Sequence, residues 1–502
     1  MAIQRNNRSM TSTTTDSGST TAILDWLATQ PSSDLADEAI QIRRQFDLLA
    51  TPGIVPTQFH RCIELFYGRA LRAGSEVKPR LTEAGLPLDR NLHTTTRQIV
   101  EVMCSVAGGF LQVVGHVRSG AIRQQSRLIE TLAARGLRML SEAREIAGLS
   151  GGMHVAELWP LSVALISATG DEASQPENSG ESAQFAFKRL VALGTLQLER
   201  FSQAEIGWIC DYLNRIATLL QLELKSPNAP DNGWYWIAAV SEDGPQSVTR
   251  RPPPSSQQLV FASPAALAKR VTEHLARLEA GQQPFELNLP RVAVGVQPLS
   301  LLQRLRDEWT VPIKREQPRR KTQYPVQACN GIPGIWEIMR GNKPLDGSIQ
   351  EWQVINESPG GFSILHVAGV AAGLSAGSAV ALRRDDEQPW NICVVRWIRS
   401  ENPSQIEIGL QIVSTGATPV TVGFRGARER PSKMIKALVL PAMPALRHHP
   451  AILAPTGTYT SRRFSLVSDL DRVYIAQGRL LSLDMQTANI ELFQFEIDPY
   501  PI

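Results

Sequence analysis

The chain has 502 residues, 43% of them hydrophobic and 20% charged, with a net charge of +3. At roughly 100–200 residues per domain, that length predicts two to four domains, with apolar mass enough for separate cores. So mild a charge excludes a chain-wide grip on a nucleic acid polymer or a membrane surface, and any basic function must be local.

Residues 1–20 lack the apolar core of a signal peptide and are expected to be disordered. The five cysteines (Cys62, Cys104, Cys210, Cys329, Cys393) are odd in number and widely spaced. With no Cys/His ligand spacing, neither a disulfide framework nor a metal site is expected. No run of about 18 apolar residues reads as a transmembrane segment, so the expected location is cytoplasmic.

From 21 to 224 the pattern is helical. Ile99, Val102, Val106, Phe110, Val113 and Val117 recur every three or four residues, which makes one apolar stripe. Pro56 suits the first turn of a following helix, and Ser33 or Asp34 suits a cap. This module is expected to be a packing or partner-binding scaffold.

Residues 225–310 read as a mixed α/β segment. "WYWIAAV", "QLVFAS" and "FELNL" are expected strands, and "PAALAKRVTEHLARLEA" and "LSLLQRLRDEW" expected helices. From Gln323 the pattern is β. In "QIEIGLQI", Ile406, Ile408, Leu410 and Ile412 face one way, with Gln405, Glu407, Gly409 and Gln411 opposite. Short strands at near-regular spacing predict a small barrel over 311–425. Residues 426–502 form a β-rich tail, either a second barrel or an extension of the first.

Between helix and barrel lies "VPIKREQPRRKTQYPV", which concentrates Lys314, Arg315, Arg319, Arg320 and Lys321. A solvated linker is the plain reading of such a run. Guanidinium, however, suits bidentate bonding to phosphate or a guanine edge, and Pro318 restricts the backbone between Arg315 and Arg319. Downstream, "NESPGG" (356–361) sits between two apolar runs. Its Asn, Ser, Pro and Gly are adequate hairpin chemistry by themselves.

Together, "REQPR" (315–319) and "NESPGG" resemble the paired RxxxR and [D/N]xSxxG motifs of the PilZ domain family, bacterial receptors for cyclic di-GMP. The following "SAVALRR", "NICVVRWIR" and "IEIGLQIV" resemble the later strands of its barrel. The resemblance implies that Arg315 and Arg319 bond phosphates and guanine edges, and that Asn356 bonds a guanine edge. Ser358 would donate to the ligand or fix the turn, and Gly361 would leave room for backbone near the base. Arg320, Trp352 and Arg396 are further candidates, Trp352 for stacking on a purine and Arg396 for facing the ligand. A second frame, Arg319 and Gln323, stays open. "ACNGIPGIWEIMRGNKPLDG" reads as an insertion between the motifs.

"GLSAG" (373–377) matches the GxSxG nucleophile elbow around Ser375, but "SAVALRR" follows with strand alternation where a helix is needed. "RHH" (447–449) reads as a solvated turn. The expectation is an α+β multidomain protein with no catalytic residues and no cofactor. It binds cyclic di-GMP and signals to an unidentified protein partner through its helical module, with homo-oligomerisation left open. The alternatives are a ligand-free PilZ-like interaction scaffold and, less favoured, a serine hydrolase using Ser375.

Overall fold

The computed structural model describes residues 16–49, 53–123, 127–170, 182–223, 233–255, 259–292, 295–310, 318–342, 348–367, 373–424, 433–470 and 472–498. The first unit is a helical bundle: α1 (Asp16–Ala28), α2 (Leu35–Leu49), α3 (Pro56–Glu83), α4 (Arg90–Arg118), α5 (Leu128–Leu149), α6 (Leu158–Thr169), α7 (Ala183–Gly194) and α8 (Gln203–Ile216). A helix thus begins at Asp16, inside the stretch expected to be disordered; residues 1–15 lie outside the described set.

Local chemistry sets the helix starts. Pro56 opens α3, the Asp89 side chain accepts from the Leu92 amide at α4, and Ser202 with Glu205 makes a reciprocal capping box on α8. The six-residue stripe of α4 is buried in the bundle core. By length and composition α4 is apolar enough to cross a membrane, which the sequence reading missed, but most of its apolar window packs against other helices.

A four-stranded antiparallel sheet follows in the order β1-β4-β2-β3, from β1 (Gln221–Glu223), β2 (Tyr235–Ala238), β3 (Gln246–Ser247) and β4 (Leu259–Ser263). Next come α9 (Ala265–Glu279) and α10 (Pro298–Thr310). The strand expected at "FELNL" is instead a 3-10 turn, Pro284–Leu287, because Gln283 and Glu286 cap it reciprocally and Pro284 starts it.

Two closed six-stranded barrels complete the chain. The first comprises β5 (Arg320–Asn330), β6 (Ile349–Ser358), β7 (Gly361–Val367), β8 (Ala379–Arg383), β9 (Asn391–Asn402) and β10 (Gln405–Ser414), with α11 (Gly331–Met339) inserted after β5. The second comprises β11 (Thr418–Phe424), β12 (Ile435–Leu440), β13 (Ala451–Pro455), β14 (Arg463–Ser468), β15 (Tyr474–Gln486) and β16 (Ile490–Ile497). The first barrel therefore ends at Ser414, and the strand at 418–424 belongs to its neighbour. The rings share one order. In each, the first strand pairs with the second and fourth, the third with the sixth, and the fifth with the fourth and sixth.

The "GLSAG" turn is where three units meet. Leu374 bridges to Leu86 of the bundle, and a Cβ on Gly85 would come within 2.9 Å of the Gly373 α-carbon. On its other side Thr487 Oγ1 donates to the Gly377 carbonyl at 2.9 Å, and Asn489 Nδ2 donates to Ser375 Oγ at 2.8 Å. Strand β8 follows, so Ser375 stands in a turn between strands and not on a strained elbow leading into a helix. The bundle also holds the first barrel through its backbone: the Ser400 amide donates to the Gly151 carbonyl at 2.9 Å, and His93 Nε2 donates to the Glu401 carbonyl at 3.2 Å. Arg447, expected in a solvated turn, is 4% exposed and donates to the carbonyls of Val413 and Pro441, tying the second barrel to the end of the first.

Candidate functional site

Strand parity decides which side chains of the first barrel reach solvent. Val354, Ile364, Ile408 and Leu410 line the interior. Two bulges then shift the phase of the wall. On β6, Val354 opposes Ile364 while Asn356 opposes Ser363, so Ile355 is the extra residue. On β9, Val395 opposes Leu410 while Trp397 opposes Gly409, so Arg396 is extra. Bulges re-aim the side chains that follow them, and here they turn Asn356 and Trp397 outward.

Directly opposed residues share a face, so the pairings define one transverse row on the outer wall: Lys321, Asn356, Ser363, Gly409, Trp397. Trp397 lies flat across Gly409, where a Cβ would come within 2.0 Å of the indole nitrogen. Arg399 lies 5.9 Å from the Trp397 ring centroid. Within the row Ser363 is fully buried and donates to Glu407 Oε1 at 2.8 Å. Asn356 Oδ1 is buried and accepts no hydrogen bond. A buried amide oxygen left in that state costs roughly 1–3 kcal/mol, and it marks a place where a donor is missing.

The sequence-selected residues divide around this row. Arg319 and Arg320 are exposed at the start of β5, with Arg320 opposite Glu357, the residue after Asn356. Arg315 lies outside the described residues. Gln323, of the second frame, is exposed within the irregular stretch of β5 between Lys321 and Tyr324. The Ser358 hydroxyl donates to the Gly361 carbonyl at 3.3 Å, closing the two-residue hairpin. The space beside Gly361 is taken by the Leu410 carbonyl oxygen, 1.9 Å from where a Cβ would sit. That glycine is required by the close approach of β10. Trp352 is 2% exposed and packs inside the barrel beside His366, so it presents no face to a ligand. Arg396 stands three strands around the ring from Asn356, roughly 14 Å at about 4.8 Å per strand.

Two residues escaped the sequence reading. Nothing in the strand pattern sets Trp397 apart, and only its opposition to Gly409 identifies it as a flat apolar platform. Tyr324 donates to Glu357 Oε2 at 2.8 Å beneath the Arg384 guanidinium, and burial with the Glu357 carboxylate pushes its phenol up to about 12. This pair fixes the strand end next to Asn356. The row thus offers one acceptor for a planar N–H edge, one aromatic face and flanking cations, which are the elements that recognise a purine nucleotide.

Residues 21–228 match the family model described as the N-terminal domain of cyclic-di-GMP receptor FimW, and residues 337–419 match that of its middle PilZ domain. The second match takes in Asn356, Ser358, Gly361, Gly409 and Trp397 and begins downstream of the arginine connector. Cyclic-di-GMP receptor FimW of Pseudomonas aeruginosa is 23% identical over 361 residues, which cover 57% of this chain and 58% of that protein. No solved structure matches.

Proposed function

We propose that the chain, whose residues 337–419 match a PilZ-domain model, is a receptor for cyclic di-GMP with no catalysis of its own. The observation that carries the proposal is the orphaned Asn356 Oδ1, set in one outer row with the Trp397 indole. Guanine presents N–H donors on the edge that such an oxygen accepts from, and a purine face stacks on an indole. Arg315 and Arg319, from the connector that enters β5, supply the charge for the two phosphates.

Binding passes to a protein partner through the helical bundle. The support is the backbone contact of Ser400 with Gly151, which couples the barrel wall directly to the module. Isothermal titration with cyclic di-GMP tests the receptor reading. Micromolar or tighter binding is expected, lost in Arg315→Ala/Arg319→Ala and weakened roughly tenfold to a hundredfold in Asn356→Ala.

A ligand-free interaction scaffold is the second reading. It is favoured by Ser358 and Gly361, whose hydroxyl and open side both serve the hairpin and its neighbour strand. Absence of binding at millimolar ligand would establish it in place of the first.

A further inference from the structure

At the far end of the outer row, beside Trp397, the bundle, α10 and the first barrel enclose a group of charges. Arg200 donates to Glu308 Oε1 at 2.7 Å, and Arg304 pairs with Glu205 and also donates to the Arg200 carbonyl at 3.4 Å. Arg304 and Glu308 are one helical turn apart on α10, so both face the same junction. Arg304 also stacks 5.0 Å over Phe201, immediately after the 3-10 turn Leu198–Arg200 that packs on β9. From β9, Arg396 comes close to Arg200, Arg304 and Glu308.

The charges do not balance. Glu308 is faced by Arg200, Arg250, Arg304 and Arg396, and Glu205 is the other carboxylate of the group. Arg200 is paired with Glu308 and Arg304 with Glu205, which leaves the Arg396 guanidinium without a carboxylate among the described residues. Two donors also lack acceptors: Arg304 Nε is buried with no partner, and Arg396 makes no hydrogen bond or ion pair among the described residues. Burial, with Arg200 and Arg304 close by, lowers the Arg396 guanidinium to about 10. Like charges gathered in a half-buried junction repel, and a guanidinium N–H without an acceptor is costly to desolvate. Both penalties are removed by one ligand type, a tetrahedral oxyanion accepting several N–H bonds.

We propose that Arg396, Arg304 and Arg200 form an oxyanion site of the phosphate class at the junction of bundle, α10 and barrel. The site is separate from the Asn356 acceptor, and its counter-ion bridges three units of the chain. Its phosphate has two sources: a free phosphoanion, or a phosphate of a nucleotide lying along the row from Asn356.

Thermal unfolding of the full chain tests this, with inorganic phosphate at about 10 mM compared with sodium chloride at matched ionic strength. Ligand that binds the native state alone raises the midpoint, so a shift of a few degrees is expected in the wild type and in Asn356→Ala, and none in Arg396→Met. Arg396→Lys, which keeps the charge and loses the fork, is expected to give a smaller shift and guards against misfolding of the methionine variant. Equal shifts in all four proteins, or none in any, overturn the site. If cyclic di-GMP abolishes the phosphate shift in the wild type, the nucleotide supplies the phosphate. Additive shifts assign the site to a free phosphoanion. Because Asn356→Ala keeps the phosphate response, failure of the receptor reading leaves this result standing.

Discussion

Trp397 and Gly409 are matched across β9 and β10: the indole occupies the volume that any side chain at 409 would need, with its nitrogen 2.0 Å from the position of a Cβ. Gly409→Ala must therefore push the indole off the barrel wall. Overpacking of this kind costs about 1–3 kcal/mol, readable as a lower urea midpoint. The same variant is expected to weaken cyclic di-GMP binding, since an aromatic stack contributes about 1–3 kcal/mol per base. Undiminished affinity in Gly409→Ala would remove Trp397 from the site.

Asn356 separates binding from folding. Its Oδ1 has no donor, so replacing the amide by the isosteric Leu removes an unsatisfied buried acceptor. Stability in Asn356→Leu is expected to hold or rise, while affinity for cyclic di-GMP falls roughly tenfold to a hundredfold, at 1.4 kcal/mol per decade. Parallel losses of stability and affinity would instead mark Asn356 as a packing residue.

Acidification is expected to destabilise the protein. Burial lowers the proton affinity of both His93 and His274 from the ordinary 6.5, with Arg97 acting the same way on His93 and Arg270 and Arg277 on His274. The unfolded chain then binds more protons than the native one near and below that value. Stability from the neutral rings is present above about pH 6.5 and is lost as pH falls. His93 holds the Glu401 carbonyl, so part of this loss reports on the dock between bundle and barrel. Urea midpoints at pH 7.5 and 5.5 should differ less in His93→Gln than in the wild type.

All five cysteines are buried free thiols. Burial pushes Cys104 and Cys393 up to about 12 and Cys329 to about 11, and raises Cys62 and Cys210 as well. A thiol reagent at pH 8 should find no fast-reacting group in the native protein and five after denaturation, because the thiolate is the nucleophile. A single rapid reaction in the native state would locate an opened core.

Much of the architecture was legible because its signals are local. The stripe of α4 and the alternation of β10 each need one face buried, and periodicity reports that without knowledge of the partner. What periodicity cannot report is which ring a strand joins. Thr418–Phe424 follows β10 after three residues with the same alternation, yet pairs with β12 and β14. The bulge at Ile355 had a larger effect on the site. Trp352 and Asn356 are four residues apart and share a face in a regular strand. One extra residue between them sends the tryptophan into the core and the asparagine to the surface. The same parity change at Arg396 makes Trp397 the platform of the row, and no single-sequence pattern marks either bulge.

The "GLSAG" turn has a mechanical consequence. One pentapeptide touches Gly85 and Leu86 on one side and Thr487 and Asn489 on the other. The turn thus fastens both the bundle and the second barrel to the first barrel. Gly377, at φ 86° and with Thr487 against the position of a Cβ, tolerates no larger residue there. From this turn β15 runs back through 13 residues to Tyr474, up to about 40 Å of extended chain at roughly 3.3 Å per residue. Tyr474 and Ile475, both exposed, ride at its far end. The second barrel is fastened to the first both at this turn and at α11, where Trp336 Nε1 donates to the Val420 carbonyl at 2.8 Å, so the two rings are clamped at two separate points.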